Sequence, residues 1–260
     1  MKRKRWLLPA VLIVGALAAA MAVRLRFEDQ QMDEYIKTAS ILPGVYADQF
    51  DPDLSMTAYE IFDNSLDTYD ELERHAGDVV VGEVVDQCQD HGTIKTSIQI
   101  HQVIKGDLKE AQTVEVDEPV YFTEDQRDFP DGRLEGSQGY LPMKKGRQYM
   151  LFLQRHPYGD AYGLISDLYG KLPVDAPLNV YHAEYTGEYI PLSQLDAYDV
   201  FYIDPSEDKQ YLAEEMKNCD ADGSDDECVR LKKKEDALAL YERYEQKLTE
   251  LWQACQEKIR

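Results

Sequence analysis

Residues 139–155 read GYLPMKKGRQYMLFLQR, and they indicate a strand that is covered on both faces. A turn signal at Lys144-Lys145-Gly146 leads directly into Tyr149-Met150-Leu151-Phe152-Leu153. Successive side chains of a strand point to opposite faces, so apolar residues occupy both faces here. Val79-Val80-Val81 shows the same pattern. We therefore expect two buried strands, each with one face in the core of a barrel or sandwich and the other under a packed helix.

Further strand patterns lie on both sides of this stretch. Residues 93–105 alternate apolar and polar side chains, with Ile94, Thr96, Ile98 and Ile100 on one face. The glycine at position 82, inside an otherwise apolar strand, is typical of a β-bulge. Short strands separated by turns indicate an antiparallel barrel or sandwich, and not alternating βαβ units. The remaining segments are predicted as two short strands broken by Pro119, a long polar loop over residues 123–140, and short strands within residues 161–166, 178–185 and 188–192.

Helical periodicity flanks the strands. Residues 55–76 predict a helix because apolar residues recur at steps of three and four, and Gly77 closes it. Residues 205–217 predict a second helix, and a long helix is predicted from Asp226 to the end of the sequence. The last helix carries a narrow apolar stripe, which packs on the barrel or on the 205–217 helix, or else mediates self-association or docking to a partner helix. The stripe comprises Tyr241, Tyr244, Leu248, Leu251, Cys255 and Ile259.

The first 26 residues have the features of a membrane anchor. Leu7–Val23 is uncharged and mostly apolar, with four basic residues before it and Arg24 and Arg26 after it. As a helix it would span about 26 Å, at the short end for a bilayer core. The positive-inside rule places the N-terminus in the cytoplasm and the following chain outside. An uncleaved anchor is favoured over a signal peptide cut after Ala22, in which case the protein would be secreted.

The rest of the chain is strongly acidic. The formal net charge is −22, with 28 Lys and Arg against 50 Asp and Glu. Six of those basic residues, and no acidic residue, lie in residues 1–26, which leaves 22 against 50 and a net charge of −28. Such a surface repels nucleic acid and anionic lipids. It suits solubility, a cationic partner or divalent cations.

Four segments together resemble a known architecture. AGDVVVGEVV (76–85), IQIHQVIKGD (98–107), LPMKKGRQYMLFL (141–153) and YGLISDLYGKLPV (162–174) follow an order similar to that of small exported domains of Gram-positive bacteria. Those domains resemble OB-fold barrels of the netrin and tissue-inhibitor-of-metalloproteases type. The resemblance covers roughly residues 70–175 and implies a barrel, but it transfers no catalytic residue. The animal inhibitors act through a cysteine-rich N-terminus, whereas this chain has only Cys88 in the barrel region.

Catalytic motifs of the common enzyme classes are missing from the sequence. It contains no G-x-S-x-G, H-E-x-x-H, P-loop, G-x-G-x-x-G or C-x-x-C motif, and its five histidines are scattered singly. Tyrosines are plentiful, and Tyr181, Tyr185 and Tyr189 are candidates for a groove that binds a glycan or a peptide. The alternative is that they are ordinary half-buried strand residues.

The acidic turn NCDADGSDDECV, residues 218–229, has partial calcium-loop spacing. In a 12-residue EF-hand loop the ligand positions 1, 3, 5, 7 and 9 would be filled by Asn218, Asp220, Asp222, Ser224 and Asp226. Val229 replaces the bidentate glutamate of position 12, which favours a solvated turn over a calcium site. Cys219 and Cys228 bracket this turn and are predicted to form a disulfide in an oxidising compartment, while Cys88 and Cys255 are left unassigned.

The sequence therefore predicts an α+β protein with a small antiparallel OB-like β-barrel, packed helices, an N-terminal transmembrane helix and a C-terminal helical hairpin. The expected divisions are an anchor (1–26), a spacer (27–54), a helix with the barrel (55–200) and the hairpin (201–260). The expected function is that of a non-enzymatic, extracytoplasmic, membrane-anchored binding or structural module with an extracellular protein or glycan partner. No cofactor is expected apart from the calcium considered above. The alternative is a cell-envelope hydrolase with its site in the 123–140 region.

Overall fold

Five strands close a mixed β-barrel in the computed structural model, which describes most of the chain beyond residue 65. The described residues are 39–41, 65–90, 93–125, 129–136, 140–157, 159–183, 189–203, 210, 213–214, 216–218, 228, 231–232 and 243–259. Their helices are α1 (Tyr69–His75) and α2 (Tyr244–Lys258), with short 3-10 turns at Leu192–Gln194 and Met216–Asn218. Their strands are β1 (Ser40–Ile41), β2 (Asp78–Asp90), β3 (Thr93–Lys105), β4 (Thr113–Asp125), β5 (Phe129–Gly136), β6 (Gln148–Arg155), β7 (Tyr162–Leu164), β8 (Lys171–Pro173), β9 (Val180–Ala183), β10 (Ile190–Pro191) and β11 (Val200–Ile203).

The barrel runs β4-β3-β2-β6-β7 and returns to β4. All of its neighbours are antiparallel except β7 and β4, which pair in parallel through Val116 with Tyr162 and Asp117 with Gly163. The α+β class and the barrel are confirmed, but the fully antiparallel barrel is wrong. Strand direction must alternate around an antiparallel ring, and that requires an even number of strands. Five strands therefore force one parallel contact.

Strand β6 is covered on both faces, as its sequence predicts. Met150, Leu151, Phe152 and Leu153 are all fully buried. Phe152 meets the Tyr69 ring of α1 edge-on, at a centroid separation of 5.6 Å. The predicted arrangement of one face in the barrel and the other under a helix is therefore confirmed for this strand.

The predicted bulge at Gly82 is confirmed. The pairing of β2 with β3 shifts register between Val81 and Gly82. A Cβ at this position would lie 3.0 Å from the Gln99 carbonyl oxygen and would overlap the Ile98 Cγ2 methyl. Only glycine leaves room for β3 to approach this closely, so the residue sets how tightly the two strands coil.

Two strand predictions are wrong between Thr113 and Tyr140. Strand β4 is continuous to Asp125, and Pro119 falls opposite the register irregularity between Thr93 and Lys95. A bulge tolerates proline because it needs no ladder hydrogen bond there. The expected polar loop over residues 123–140 is instead largely a hairpin, in which β5 pairs with β4 and with β1. Two neighbouring strands supply backbone hydrogen bonds to β5, and its polar sequence alone does not predict this pairing.

The first predicted helix, residues 55–76, is shorter than expected within its described part. Ser65–Thr68 is not helical, and α1 begins at Tyr69. Thr68 has extended backbone angles (φ −126°, ψ 152°), and its hydroxyl accepts a hydrogen bond from the Glu71 amide, so it caps the helix. Residues 55–64 lie outside the described residues.

Helix α2 packs on the barrel side of the molecule. Tyr244, Leu248, Leu251 and Cys255 are buried, which confirms the predicted stripe and its packing within the described part. The Trp252 indole donates to the Pro173 carbonyl at 2.9 Å and so fixes the helix against β8. Most of the predicted 205–217 helix and the first part of the predicted C-terminal helix lie outside the described residues.

The predicted anchor, residues 7–23, also lies outside the described residues. Within the described ranges, no helix combines the length and the apolar character needed to cross a bilayer.

Candidate functional site

A buried carboxylate on β4 is the centre of a network of buried hydrogen bonds among the described residues. Glu118 is only 3% exposed. Its Oε1 accepts hydrogen bonds from the Gln87 amide, at 3.0 Å, and from the Thr96 hydroxyl. Its Oε2 accepts from the Tyr140 hydroxyl at 2.7 Å and from the Met143 amide at 2.8 Å. These four donors fill the acceptor positions of the carboxylate, so both oxygens of Glu118 are hydrogen-bonded in the interior.

A buried ammonium faces the same tyrosine. Lys171, the first residue of β8, is 5% exposed and donates to the Leu141 carbonyl. Its Nζ lies 4.0 Å from the centroid of the Tyr140 ring and 5.7 Å from that of Tyr149. Burial lowers the pKa of Lys171 to about 8, while the carboxylates of Glu118 and Asp199 act in the opposite direction.

Tyr140 joins the two charges. Its hydroxyl binds Glu118 and its ring face meets Lys171, so the anion and the cation compensate each other across one side chain. Burial, reinforced by Glu118, raises the pKa of the Tyr140 hydroxyl well above its ordinary value and keeps it protonated as a donor.

The same groups bind the backbone of the chain that enters β6. Leu141 accepts from Lys171, Met143 donates to Glu118, and the Met143 carbonyl accepts from the Gln87 amide at 2.8 Å. The network thus fixes residues 140–143 against the barrel. Because its members are buried and occupied by one another, it acts as a structural network and leaves no side chain aimed at a substrate.

The basic turn that precedes β6 holds the segment after β8. The Arg147 guanidinium lies 3.0 Å from Asp175 and 3.6 Å from the buried Asp199. The Lys144 ammonium donates to the Tyr198 carbonyl, and burial lowers the pKa of that lysine. Asp199 in turn accepts from the Asn179 amide at 2.9 Å. The turn before β6 therefore also holds the segment after β8 in place, through ion pairs and a hydrogen bond.

The segment after β8 contains a two-stranded parallel ribbon of β9 and β11. The Tyr181 and Tyr198 rings meet edge-on at 5.0 Å, and the His182 and Tyr202 rings do so at 5.7 Å. The His182 side chain is 61% exposed and its Nε2 lies 3.3 Å from Glu245, which is 40% exposed on the first turn of α2. We call the exposed part of β9, β11 and this first turn the ribbon surface.

A histidine–carboxylate pair lies on the outer wall of the barrel. The His156 Nε2 is 3.3 Å from the Asp117 carboxylate, and both side chains are largely buried. The imidazole covers Gly163, where a Cβ would come within 3.3 Å of the ring. The pair links β4 to the residue that follows β6 and covers β7, so it reinforces the parallel seam that closes the barrel.

The predicted site residues are only partly within the described ranges. Tyr181 is partly exposed on β9 and Tyr189 is partly exposed before β10, whereas Tyr185 lies outside. Of the calcium candidates, only Asn218 is described, in a 3-10 turn, so calcium binding stays a prediction. No group of three or more potential metal ligands occurs among the described residues.

The predicted disulfide also stays a prediction, because Cys219 lies outside the described residues. No disulfide joins two cysteines within the described ranges, and Cys88 and Cys255, which the sequence left unassigned, are not disulfide-bonded. Cys255 is a buried member of the α2 stripe, and burial raises the pKa of its thiol to about 12.

The Glu118 network was missed in the sequence, although a signal for it exists. Val114, Val116, Glu118 and Val120 share one face of β4, so the glutamate interrupts an apolar alternation. Thr96 interrupts the isoleucines of β3 in the same way. A polar residue in the buried phase of a strand predicts a buried hydrogen-bonded group, but it does not identify the partner.

Comparison with protein-family models gives no match for this chain, and comparison with curated proteins gives none either. The function is therefore argued from the residues alone.

Proposed function

We propose that this protein is an extracytoplasmic binding module with an OB-like barrel, held at a membrane by the segment Leu7–Val23. The observation that carries the proposal is the state of the buried polar groups. Glu118, Tyr140 and Lys171 satisfy one another in the interior, as a structural network does, whereas the ribbon surface presents aromatic and charged side chains to solvent. A binding surface on a rigid barrel fits this division better than an active site does.

The strand order supports the OB-like character. Three consecutive antiparallel strands, a fourth that pairs with the first, and a fifth that closes in parallel on the third form a five-stranded Greek-key barrel. The hydrolase alternative has less support, because much of the 123–140 region is a strand pair and not a loop.

Export is supported by the N-terminal apolar run and the four basic residues before it. The disulfide between Cys219 and Cys228 belongs to the same proposal, since the exported side of a membrane is oxidising.

The anchor is tested by fractionation and by protease treatment of intact spheroplasts. We expect the full-length chain in the membrane fraction, with its barrel digested by external protease. A Val14→Arg variant places a charge in the middle of the apolar run and should lose membrane retention. A mature species that begins at Val23 and is free in the medium would overturn the anchor and leave a secreted module.

A further inference from the structure

We propose that the slot between β5 and β10 is an acceptor site for an extended peptide, and that β1 is an occupant of this slot that such a peptide can replace. The inference rests on the binding-module function proposed above and names a class of ligand for it. That ligand is a peptide strand with a small residue followed, two positions later, by an apolar β-branched residue.

Strand β1 lies between two strands that are distant from it in the sequence. It pairs in parallel with β5, where Ser40 lies opposite Arg133, and antiparallel with β10, where Ser40 lies opposite Pro191. In the described sheet, β10 pairs with no strand other than β1. Without β1, the edges of β5 and β10 would lie two strand spacings apart, about 9.5 Å, which is the room that one extended chain needs. Unpaired strand edges are templates for another strand.

The contacts of β1 are those of a bound peptide. The Leu192 amide donates to the Ala39 carbonyl at 3.0 Å. Ala39 is fully buried and Ile41 is 6% exposed, whereas Ser40 between them is half-buried. In peptides that add a strand to a sheet, main-chain hydrogen bonds provide affinity and pockets for alternate side chains provide specificity. The slot therefore selects a small side chain at the position of Ala39 and an apolar one at the position of Ile41.

Strand β1 is held over a much shorter length than the strands of the barrel. It is two residues long, whereas β2 pairs with β6 over residues 78–83. Short elements with few buried contacts open before the rest of a domain unfolds, so β1 can leave the slot while the barrel stays folded. Within the described residues, β1 meets only Arg133 and Leu134 of β5 (Phe129–Gly136). A longer peptide would therefore find further backbone groups along this edge.

The test uses the full-length chain in detergent micelles and the fluorescein-labelled peptide IKTASILP, which repeats residues 36–43. Binding is followed by fluorescence anisotropy. Ile41→Asp places a charge at a buried position, so the variant's own segment should leave the slot. A slot that is filled about nine-tenths of the time binds a competing peptide about tenfold more weakly than an empty slot. We therefore expect Ile41→Asp to bind the peptide about tenfold more tightly than the wild type.

Two controls separate the slot from non-specific association. The peptide IKTDSDLP carries aspartate at both buried positions and should bind to none of the proteins. Thr113→Asp adds the same charge at an exposed position at the start of β4 and should bind IKTASILP as the wild type does. Equal binding by Ile41→Asp and Thr113→Asp, no binding by Ile41→Asp, or equal binding of the two peptides would each overturn the inference.

A milder variant decides the question if Ile41→Asp does not fold. Ile41→Ala removes part of the buried side chain and weakens the hold of β1 without adding a charge. It should bind IKTASILP at least about threefold more tightly than the wild type, because its slot is empty for more of the time. Unchanged binding in this variant would overturn the inference. Membrane fractionation does not depend on the slot, so failure here would leave the anchor intact.

Discussion

Replacing Lys171 by methionine should remove a rise in stability with pH that the wild-type protein shows above pH 8. The folded pKa of this lysine is about 8, against an ordinary value of 10.5, because its ammonium is buried. Between these values the unfolded chain holds a proton that the folded chain has lost, so the free energy of unfolding increases with pH. The contribution is fully present above the unfolded pKa and is lost as pH falls through the folded pKa.

The magnitude follows from the size of the shift. A full pKa unit corresponds to about 1.4 kcal/mol, so the wild type should gain about 2 kcal/mol between pH 8 and 9.5 relative to the Lys171→Met variant. The window stops below pH 10 because several buried tyrosines, Tyr140 and Tyr149 among them, have raised pKa values. Once the tyrosines of the unfolded chain ionise near pH 10, the free energy of unfolding begins to fall with pH. This fall is common to the wild type and the Lys171→Met variant.

The assay is urea unfolding followed by tyrosine and tryptophan fluorescence at pH 7, 8, 9 and 9.5. Methionine preserves the length of the side chain, so Glu118 keeps its four donors and the barrel should fold. Lys145→Met is the matched control, because this lysine is 57% exposed and its ion pair is with the exposed Asp86. Parallel pH profiles for wild type and Lys171→Met would refute the assignment of a buried, weakened ammonium.

Two other outcomes follow from the described contacts, and a third follows from the spacing of two cysteines in the sequence. Leu151→Ala and Phe152→Ala should each lower the free energy of unfolding by about 2–5 kcal/mol, because both side chains are fully buried on opposite faces of β6. Gln154→Ala, at an exposed position, is the control, and losses near zero at both core positions would contradict the burial. Gly82→Ala should destabilise the protein by about 1–3 kcal/mol, because the added Cβ would overlap Ile98 and the Gln99 carbonyl. Gly146→Asn should be tolerated, because its site is open and asparagine accepts the positive φ of 78°. Urea unfolding of both variants checks this contrast, and equal effects would argue against the bulge. Non-reducing peptide mapping of protein purified from the envelope should recover Cys219 linked to Cys228, and unmodified thiols at both positions would exclude the bond.

Strand periodicity predicts the part of the fold that depends on apolar burial. The burial of residues Met150 to Leu153 was predicted correctly, because a strand with apolar side chains on both faces is covered on both faces. The bulge at Gly82 was equally local, since a missing side chain is visible in the sequence. Both features depend on a few adjacent residues and on no distant partner.

The parts that were missed depend on partners far along the chain. Strand β5 exists because β4 and β1 supply its hydrogen bonds, and its own sequence carries proline and glycine. Lys171 became buried because Leu141 and Tyr140, about 30 residues earlier, provide an acceptor and a ring. A single lysine among 28 basic residues gives no signal of that environment.

Glu118 has a consequence for strand register that apolar burial cannot provide. A slip of one residue between β3 and β4 would expose the apolar face, so alternation alone excludes it. A slip of two residues would keep the isoleucines and valines inside and would exchange one apolar neighbour for another. It would, however, separate Glu118 from Thr96 and leave a buried carboxylate short of a donor, at a cost of several kcal/mol. The polar network therefore selects one register among those that the apolar residues permit, and that register is the one that brings β7 beside β4 to close the barrel.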